Sequence, residues 1–261
     1  MTRPTPEPLP APLAGLVSSR RFERIVLFSG AGMSQDSGIP TFRSGDDGLW
    51  SAFDPQQLAT PEAWRRDRAL VWGWYEWRRG LVMAAHPHPG HVAAARLQRE
   101  LGAAIVTQNV DDLHERAGAT DVLHLHGSLF APRCEACGKA AELPPPPPKT
   151  PRERLDPPRC ARCQAHVRPG VVWFGESLDP AVVDEACRRI AACDLLVIVG
   201  TSGTVQPAAG LVGLAPEGAV IVEINPERSA TASTLDFRWR STAARALPTL
   251  TDALVAAGAP G

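Results

Sequence analysis

Lysine is almost missing from this sequence: of 27 basic residues only Lys139 and Lys149 are lysine, and Tyr75 is the single tyrosine. With abundant alanine, proline and glycine, that bias reads as the imprint of a GC-rich genome, and no mechanism follows from it. Neither charge is in excess, since 28 acidic residues leave a net charge of −1. The balance excludes a general electrostatic pull toward nucleic acid or an anionic membrane. A run of about 18 apolar residues, the minimum for a membrane-spanning helix, is also missing. Residues Met1–Pro10 are punctuated by proline and lack the apolar core of a signal peptide. The expected location is the cytoplasm, where six cysteines stay reduced and serve as metal ligands or core residues.

What is present centres on residues 25–44. Ile25-Val26-Leu27-Phe28 runs through Ser29 into Gly30-Ala31-Gly32, the pattern of a buried parallel strand ending in a turn open enough to receive a phosphate. Here too something is lacking: the third glycine of G-x-G-x-x-G is absent and no acidic ribose partner is in place. Taken alone, G-x-G reads equally well as a plain strand-to-helix turn, because glycine is the default where φ must be positive. Ser37-Gly38-Ile39-Pro40-Thr41-Phe42-Arg43-Ser44 then sets a turn, an aromatic ring and a guanidinium beside the glycines, which favours a binding loop.

At 261 residues, 44% of them hydrophobic, the chain can form one large domain with insertions. Residues 1–20 read as a mobile proline-rich lead-in passing into a helix. Thr60 and Pro61 read as N-cap and first residue of a helix reaching Ala84. It carries Trp64, Trp72, Trp74, Tyr75 and Trp77, whose plain reading is core packing. Pro87 and Pro89 end that region, and a helix over His91–Glu100 closes at Gly102. Ala103–Val106 is a second strand delivering Thr107-Gln108-Asn109-Val110-Asp111-Asp112 at its carboxyl end, where open α/β sheets bind ligands. After a short helix ending at Gly118, Val122–Ser128 reads as a third strand with His124 and His126 on one face. Asp179-Pro180 starts a helix to Ala192. Leu195–Val199 and Val220–Ile224 read as strands meeting Gly200-Thr201-Ser202 and Asn225, and Pro248–Ala257 as a terminal helix stopped by Gly258. Strands alternating with helices predict an α/β fold with a doubly wound parallel sheet.

Between Phe130 and Pro169 the pattern changes to an inserted module. Cys134-Glu135-Ala136-Cys137 and Cys160-Ala161-Arg162-Cys163 are two C-x-x-C knuckles. Four thiolates in so little chain suit one tetrahedral Zn²⁺ better than a redox pair, and a closed four-sulfur site leaves no position for chemistry. The ion is expected to hold the insertion together. Pro144–Pro148 is expected to be an extended, exposed loop, and Cys187 and Cys193 are read as core.

Together these motifs resemble one family. Gly30-Ala31-Gly32-Met33-Ser34 with Ser37–Arg43, Thr107–Asp111, His126-Gly127-Ser128, the two knuckles, Val172–Glu176, Gly200–Ser202 and Ile224-Asn225 are similar, in order, to the sirtuins, which are NAD-dependent protein-lysine deacylases. The resemblance implies a Rossmann-type NAD-binding domain from residues 20–45, 91–129 and 170–258, and a small domain from a helical insertion at 46–90 and a zinc ribbon at 130–169. NAD and an acyl-lysine peptide would meet between them, yielding nicotinamide and O-acyl-ADP-ribose. By position, Gly30, Ala31, Gly32, Ser34, Thr41, Phe42 and Arg43 would wrap the pyrophosphate and nicotinamide side. Gln108, Asn109 and Asp111 would hold ribose and carboxamide, with Asn109 in the catalytic set, and Gly200, Thr201, Ser202 and Asn225 the adenosine side, Ala243 lying nearest the adenine. Ser241 departs from the family's usual glycine in that last loop. His126, immediately before the glycine, takes the place of the general base, a role suited to an imidazole of ordinary pKa, about 6.5, and His124 is left structural. Val172, Trp173, Phe174, Gly175 and Glu176, with residues 203–207, would form two edges between which the peptide lies as an added strand.

Tyr75 and Arg78, three apart on a helix, share a face. The pair resembles the Tyr-x-x-Arg of the sirtuin branch that removes succinyl, malonyl and glutaryl groups. Ala59 would widen the pocket, and Thr41 replaces the usual aspartate as in that branch. The alternative is an acetyl-preferring enzyme whose Arg78 merely stacks on a tryptophan. Two other classes compete. An ordinary Rossmann oxidoreductase lacks its acidic ribose partner here. A zinc-ribbon module for nucleic acid needs a basic ribbon, whereas Glu135, Glu142, Glu153 and Asp156 offset the arginines around these knuckles.

Overall fold

Apolar runs of five residues buried on both faces are too short for helices and become central strands. The computed structural model describes residues 5–40, 54–147, 153–230 and 235–258. In chain order its regular elements are α1 (Ala11–Ser19), β1 (Ile25–Ser29), α2 (Pro55–Leu58), α3 (Pro61–Arg66), α4 (Arg68–Ala84), α5 (Pro89–Leu101), β2 (Ala104–Thr107), α6 (Leu113–Arg116), β3 (Val122–His124), β4 (Gly127–Cys134), β5 (Val167–Val171), α7 (Pro180–Ala191), β6 (Leu195–Val199), β7 (Val220–Ile224), β8 (Phe237–Trp239) and α8 (Ala243–Gly258).

Six strands form one parallel sheet in the order β3-β2-β1-β6-β7-β8. The chain builds outward from β1 to β3 and then returns to β1's other side, so a crevice opens at the carboxyl ends of β1 and β6. These two strands pair residue for residue, Ile25 with Leu195 through Ser29 with Val199, and every residue in both is buried. One sheet face packs Leu27, Ile105, Val197 and Val222 against α1, α5 and α8. The other packs Phe28, Val106 and Ile198 against α7. Each such side chain contributes about 1.5–3 kcal/mol by leaving water. A third, tryptophan-rich cluster joins Trp64, Trp72, Trp74 and Tyr75 to Leu129, Val167, Val171 and Trp173. It lies against the antiparallel pair β4–β5, which carries the cysteine knuckles.

The structure departs from the sequence expectations at several boundaries. The helix expected over Thr60–Ala84 is two helices. Thr60 caps α3 by accepting from the Ala63 N–H, but Asp67 leaves the helical region (φ −150°, ψ 85°) and its carboxylate caps α4 through the Leu70 N–H. A second capping carboxylate outcompetes helix continuity. Val122–Ser128 is likewise divided, because β3 ends at His124 and Gly127, at φ 72°, opens β4 in the other sheet. The terminal helix begins at Ala243 and contains Pro248; burial of Ala244, Ala246 and Leu247 outweighs the hydrogen bond that the proline ring removes. The three-residue β8 was too short to signal itself in sequence. The lead-in expected to be mobile makes specific contacts at Glu7: its N–H donates to the Arg245 carbonyl at 3.0 Å and its carboxylate accepts from the Ser241 hydroxyl. The proline run is exposed at Pro145 and Pro146 yet lies on α4, where Arg79 donates to the Pro145 carbonyl at 2.6 Å. Among the described residues no helix is long and apolar enough to cross a membrane.

Candidate active site

The crevice is closed at its base by two loops that touch backbone to backbone. The Gly30 N–H donates to the Val199 carbonyl at 2.9 Å and the Gly32 N–H to the Gly200 carbonyl at 2.8 Å, with Ala31 in the short 3₁₀ turn between. A Cβ on Gly32 would lie 2.8 Å from Gly200 Cα, and one on Gly200, held at φ 59°, only 2.4 Å from the Gly32 carbonyl carbon. Larger residues would push the loops apart, so these glycines are required for close approach as well as for any phosphate.

Beside this contact the ends of β1 and β2 build a buried polar cluster. Ser34 Oγ donates to Asp111 Oδ2 at 2.9 Å and accepts from Asn109 Nδ2 at 3.1 Å. Burial raises the Asp111 carboxyl above its ordinary pKa, partly offset by donors from the Leu113 N–H and Ser34. Gln108 Nε2 donates to Thr201 Oγ1 at 3.0 Å, bridging β2 to the loop after β6, and Asn225 Nδ2 donates to the Thr201 carbonyl at 2.8 Å. Ser202 shares a hydrogen bond with Thr204 at 2.9 Å. The sequence-selected Ser34, Gln108, Asn109, Asp111, Gly200, Thr201, Ser202 and Asn225 therefore form one continuous rim. Thr41, Phe42 and Arg43 lie outside the described residues. Ala243 is buried at the start of α8, its carbonyl so close to Gly90 that a Cβ there would lie 2.5 Å away.

His126 lies in the turn between β3 and β4. Its Nδ1 is 2.9 Å from the Gln108 carbonyl, and since a carbonyl only accepts, Nδ1 carries the proton and, among the described residues, Nε2 keeps a free lone pair. Burial lowers its pKa below 6.5, a correction to the ordinary value expected from sequence. His124 makes the parallel contact, Nδ1 to the Asn109 carbonyl at 2.8 Å, but its Nε2 is occupied by Glu115 at 2.7 Å. Burial would lower the His124 pKa, yet the hydrogen bonds to Glu115 and Asn109 prevail and it is raised. One histidine offers a lone pair and the other has spent it.

From His126 the site passes to the tryptophan-rich module. The Val172 N–H donates to the His126 carbonyl and the Phe174 N–H to the Ala59 carbonyl, both at 2.9 Å, so residues 172–174 span from the turn to the α2–α3 connection. Phe174 is 40% exposed whereas Trp173 is buried, its ring 5.6 Å from Trp64 and 6.5 Å from Tyr75. The Glu176 carboxylate is already taken: it accepts from Arg168 at 2.6 and 2.9 Å and from the Trp173 N–H at 2.9 Å. Glu176 thus braces the loop from within. Tyr75 and Arg78 are both buried on α4. Burial drives the Tyr75 phenol above its ordinary pKa of 10, opposed by the nearby Arg78 charge, so it stays a donor. The Arg78 guanidinium lies 5.1 Å from the Trp74 ring centroid.

The four knuckle sulfurs lie within 4.8 Å of one another, with Cys134 Sγ 3.4 Å from Cys163 Sγ and Cys137 Sγ 3.9 Å from Cys160 Sγ. Sulfurs at about 2.3 Å from a tetrahedral Zn²⁺ sit about 3.8 Å apart, so the spacing fits that ion. Amides of Ala136 and Cys137 donate to Cys134 Sγ, which favours the thiolate a metal needs. Residues 134, 137, 160 and 163 would hold the ion and leave it no open position.

Sequence reasoning missed a histidine cluster beneath the rim. The His88 and His91 rings are 4.1 Å apart and His91 and His114 5.2 Å. His88 Nε2 donates to the Met33 carbonyl at 2.6 Å, His91 Nε2 faces Ser34 Oγ at 3.4 Å, and His114 Nε2 faces Ser29 Oγ at 3.2 Å. The 23 residues between His91 and His114 carry no local signal for such a cluster; only the packing of α6 against α5 brings His114 to the other two.

Residues 30–207 match the Sir2 family. The chain is 57% identical over 208 residues to the NAD-dependent protein deacylase 1 of Pseudomonas aeruginosa, covering 78% of this chain and 83% of that protein. It is 49% identical over 243 residues to the NAD-dependent protein deacylase of Methylococcus capsulatus, covering 92% and 95%. Among solved structures it is similar to a Sir2 homologue–NAD complex (TM-score 0.86, 39% identity, 98% of each chain). It is also similar to a Sir2–p53 peptide–NAD⁺ complex (TM-score 0.76, 26% identity, 90% and 93%). Crevice, cysteine cluster and sequence agree, and the chain belongs to the Sir2 family.

Proposed function

We propose that this Sir2-family protein, an NAD-dependent protein deacylase, prefers lysines whose acyl group ends in a carboxylate, succinyl or malonyl, while retaining some action on acetyl-lysine. The observation that carries the preference is the burial of a guanidinium beside a phenol, Arg78 and Tyr75, against a tryptophan-rich apolar cluster. A carboxylate entering such surroundings loses its hydration, at a cost of several kcal/mol unless a charged donor meets it. Tyr75 and Arg78 are that donor pair, and Ala59 leaves room for the longer chain. Stacking of Arg78 on Trp74 favours the acetyl-preferring alternative only if the guanidinium has no further task. Cation–π contact and carboxylate binding use different parts of the group and are compatible.

Within this reading the rim from Gly30 to Ser34, continuing through Gln108, Asn109, Asp111, Gly200, Thr201, Ser202 and Asn225, holds NAD, and Thr41, Phe42, Arg43 and Ala243 belong to the same set by their match to the family's motifs. NAD supplies the ribose that receives the acyl group as nicotinamide departs. Asn109 and Asp111 orient the carboxamide. Ser34, by donating to Asp111, leaves its carboxylate an acceptor. His126 takes a ribose hydroxyl proton on Nε2, a role supported by the Nδ1 proton being committed to Gln108. The acyl-lysine peptide lies against residues 172–176, with Phe174 at the mouth. The Rossmann-type portion (20–45, 91–129, 170–258) and the small portion (46–90, 130–169) are the two walls of the cleft, and the four cysteines hold one structural Zn²⁺.

The test is to incubate the protein with NAD and sequence-matched acetyl-, malonyl- and succinyl-lysine peptides and follow each by mass spectrometry. Greater kcat/KM on the acidic acyl groups is expected. A wide preference for acetyl-lysine would return the protein to the plain deacetylase reading, and NADH formation from candidate alcohols would indicate an oxidoreductase.

A further inference from the structure

The first cysteine knuckle contains a residue whose side chain serves no metal. Glu135 lies between Cys134 and Cys137. Its carboxylate accepts from Trp64 Nε1 at 2.6 Å and Arg68 Nε at 3.2 Å, and lies 3.0 Å from His166 Nδ1. Its own N–H donates to the His166 carbonyl at 3.0 Å. One carboxylate thus joins α3, α4 and the segment entering β5 at a point whose backbone is set by the knuckle.

The Trp64 ring held by this contact packs on Trp173, and Trp173 packs on Tyr75. On the same Trp173 ring lies the Arg168 guanidinium, 3.4 Å from the centroid, and Arg168 grips Glu176. A continuous path of short contacts therefore runs from the knuckle to residues 172–176 and to the phenol of Tyr75. An indole has two torsions and slides easily on a neighbouring ring, so stacking alone leaves its orientation loose. A hydrogen bond from its N–H to an ionised carboxylate removes that freedom.

We infer that Glu135 is a positioning residue, which fixes the peptide-binding edge and the Tyr75 wall to the cysteine knuckle through Trp64 and Trp173. The inference rests on reading residues 172–176 as the edge that binds the peptide, and not on which acyl group is preferred. Its chemistry is specific to this pair of side chains: a carboxylate inside the C-x-x-C and an indole on α3.

Full-length, zinc-loaded protein carrying Glu135→Ala, Trp64→Phe or both is the test. Each single variant is expected to keep one zinc per chain and its KM for NAD, while KM for the acyl-lysine peptide rises about tenfold, the scale of a lost hydrogen bond to a charged group. The double variant is expected to show no further rise, because both substitutions cut the same link. Glu135→Gln keeps an acceptor for the indole and should recover most of the loss. In wild type and Glu135→Gln the tryptophan emission should coincide, and in Glu135→Ala it should shift. Additive losses in the double variant, an unchanged peptide KM, or loss of zinc from Glu135→Ala would each overturn the inference. Phe174→Ala separates the two levels of the argument. If it leaves the peptide KM unchanged, the peptide edge itself is wrong and the inference falls with it. If it raises KM while Glu135→Ala does not, the edge stands and only the Glu135 link is wrong.

Discussion

The parallel sheet and the cysteine module differ in how much charge they bury. In the sheet the core is mainly aliphatic, and among the described residues its buried polar side chains are chiefly uncharged, Ser29, Thr107 and the imidazoles of His88, His91 and His114, with Asp111 at the crevice and Glu223, paired with Arg238, as buried carboxylates. Among the described residues of the module, Glu76, Arg78, Arg79 and Arg168 are buried beside tryptophans. Arg79 meets Glu76 at 2.6 Å with both side chains less than a tenth exposed. The difference follows from size and surroundings. Paired strands and covering helices give the sheet a large apolar area, with the buried Glu223 carboxylate paired to Arg238 within it. The tryptophan-rich cluster and the knuckles have less apolar area, and there buried charges pair, Arg79 with Glu76, beside four cysteines spaced to hold a metal. Charge is then at hand where a charged acyl group would bind.

Removing the metal should break this comparison most completely. Cys134→Ala, or chelation of the wild type, is expected to lose zinc, abolish turnover and unfold the module while amides of β1 and β6 stay protected from hydrogen exchange. Stoichiometric zinc with full activity in Cys134→Ala would refute the four-cysteine site. On the sheet side, His126→Ala should leave fold and zinc content intact and lower kcat by on the order of 10²-fold or more. Near-normal turnover in that folded variant would remove His126 from the chemistry.

Arg78→Met sharpens the contrast by removing a module charge while keeping side-chain length. Desuccinylation is expected to fall by about 2–4 kcal/mol in kcat/KM, the scale of a buried charge left unpaired. Deacetylation should change far less, because an acetyl group is too short and neutral to use the pair. Equal losses on both substrates would remove Arg78 from acyl recognition.

Acid should act least on turnover at neutral pH and chiefly on the sheet side. Burial holds His88 below 6.5, His91 well below it, and His114 down to about 4, with like-charged histidine neighbours adding to the effect at His91 and His114. The unfolded chain binds these protons near pH 6.5 and the folded chain declines them, so stability is full above that pH and falls as pH drops toward 4. For His114 alone the loss is about 3 kcal/mol. Denaturant midpoints measured from pH 7.5 to 4.5 should fall steadily, and His114→Gln should flatten the slope. An unchanged slope would place the acid sensitivity elsewhere.

Most of the sheet could be read directly because its signals are local. Leu195–Val199 and Val220–Ile224 agree with the sequence reading residue for residue, as apolar runs bounded by turn residues should. Errors arose where two local signals competed. Thr60 and Asp67 are both sound caps only seven residues apart, and Pro248 looks like a helix start until the burial of the preceding turn is known. The glycine loop, the cysteine knuckles and the His-Gly turn were visible as motifs, since each packs its chemistry into a few consecutive residues.

The sequence by itself determined the alternation of strands and helices, the four sulfur ligands and the family to which the motifs point, because periodicity, turn chemistry and ligand spacing are properties of neighbouring residues. Only the tertiary structure decided which histidine keeps a free lone pair. His124 and His126 are indistinguishable as strand residues, and they part when Glu115 folds against one and Gln108 fixes the proton of the other. The same holds for Glu176, turned inward by Arg168, and for Glu135, which meets an indole 71 residues earlier in the chain. These roles depend on contacts between distant segments, and such contacts exist only once packing has brought the segments together.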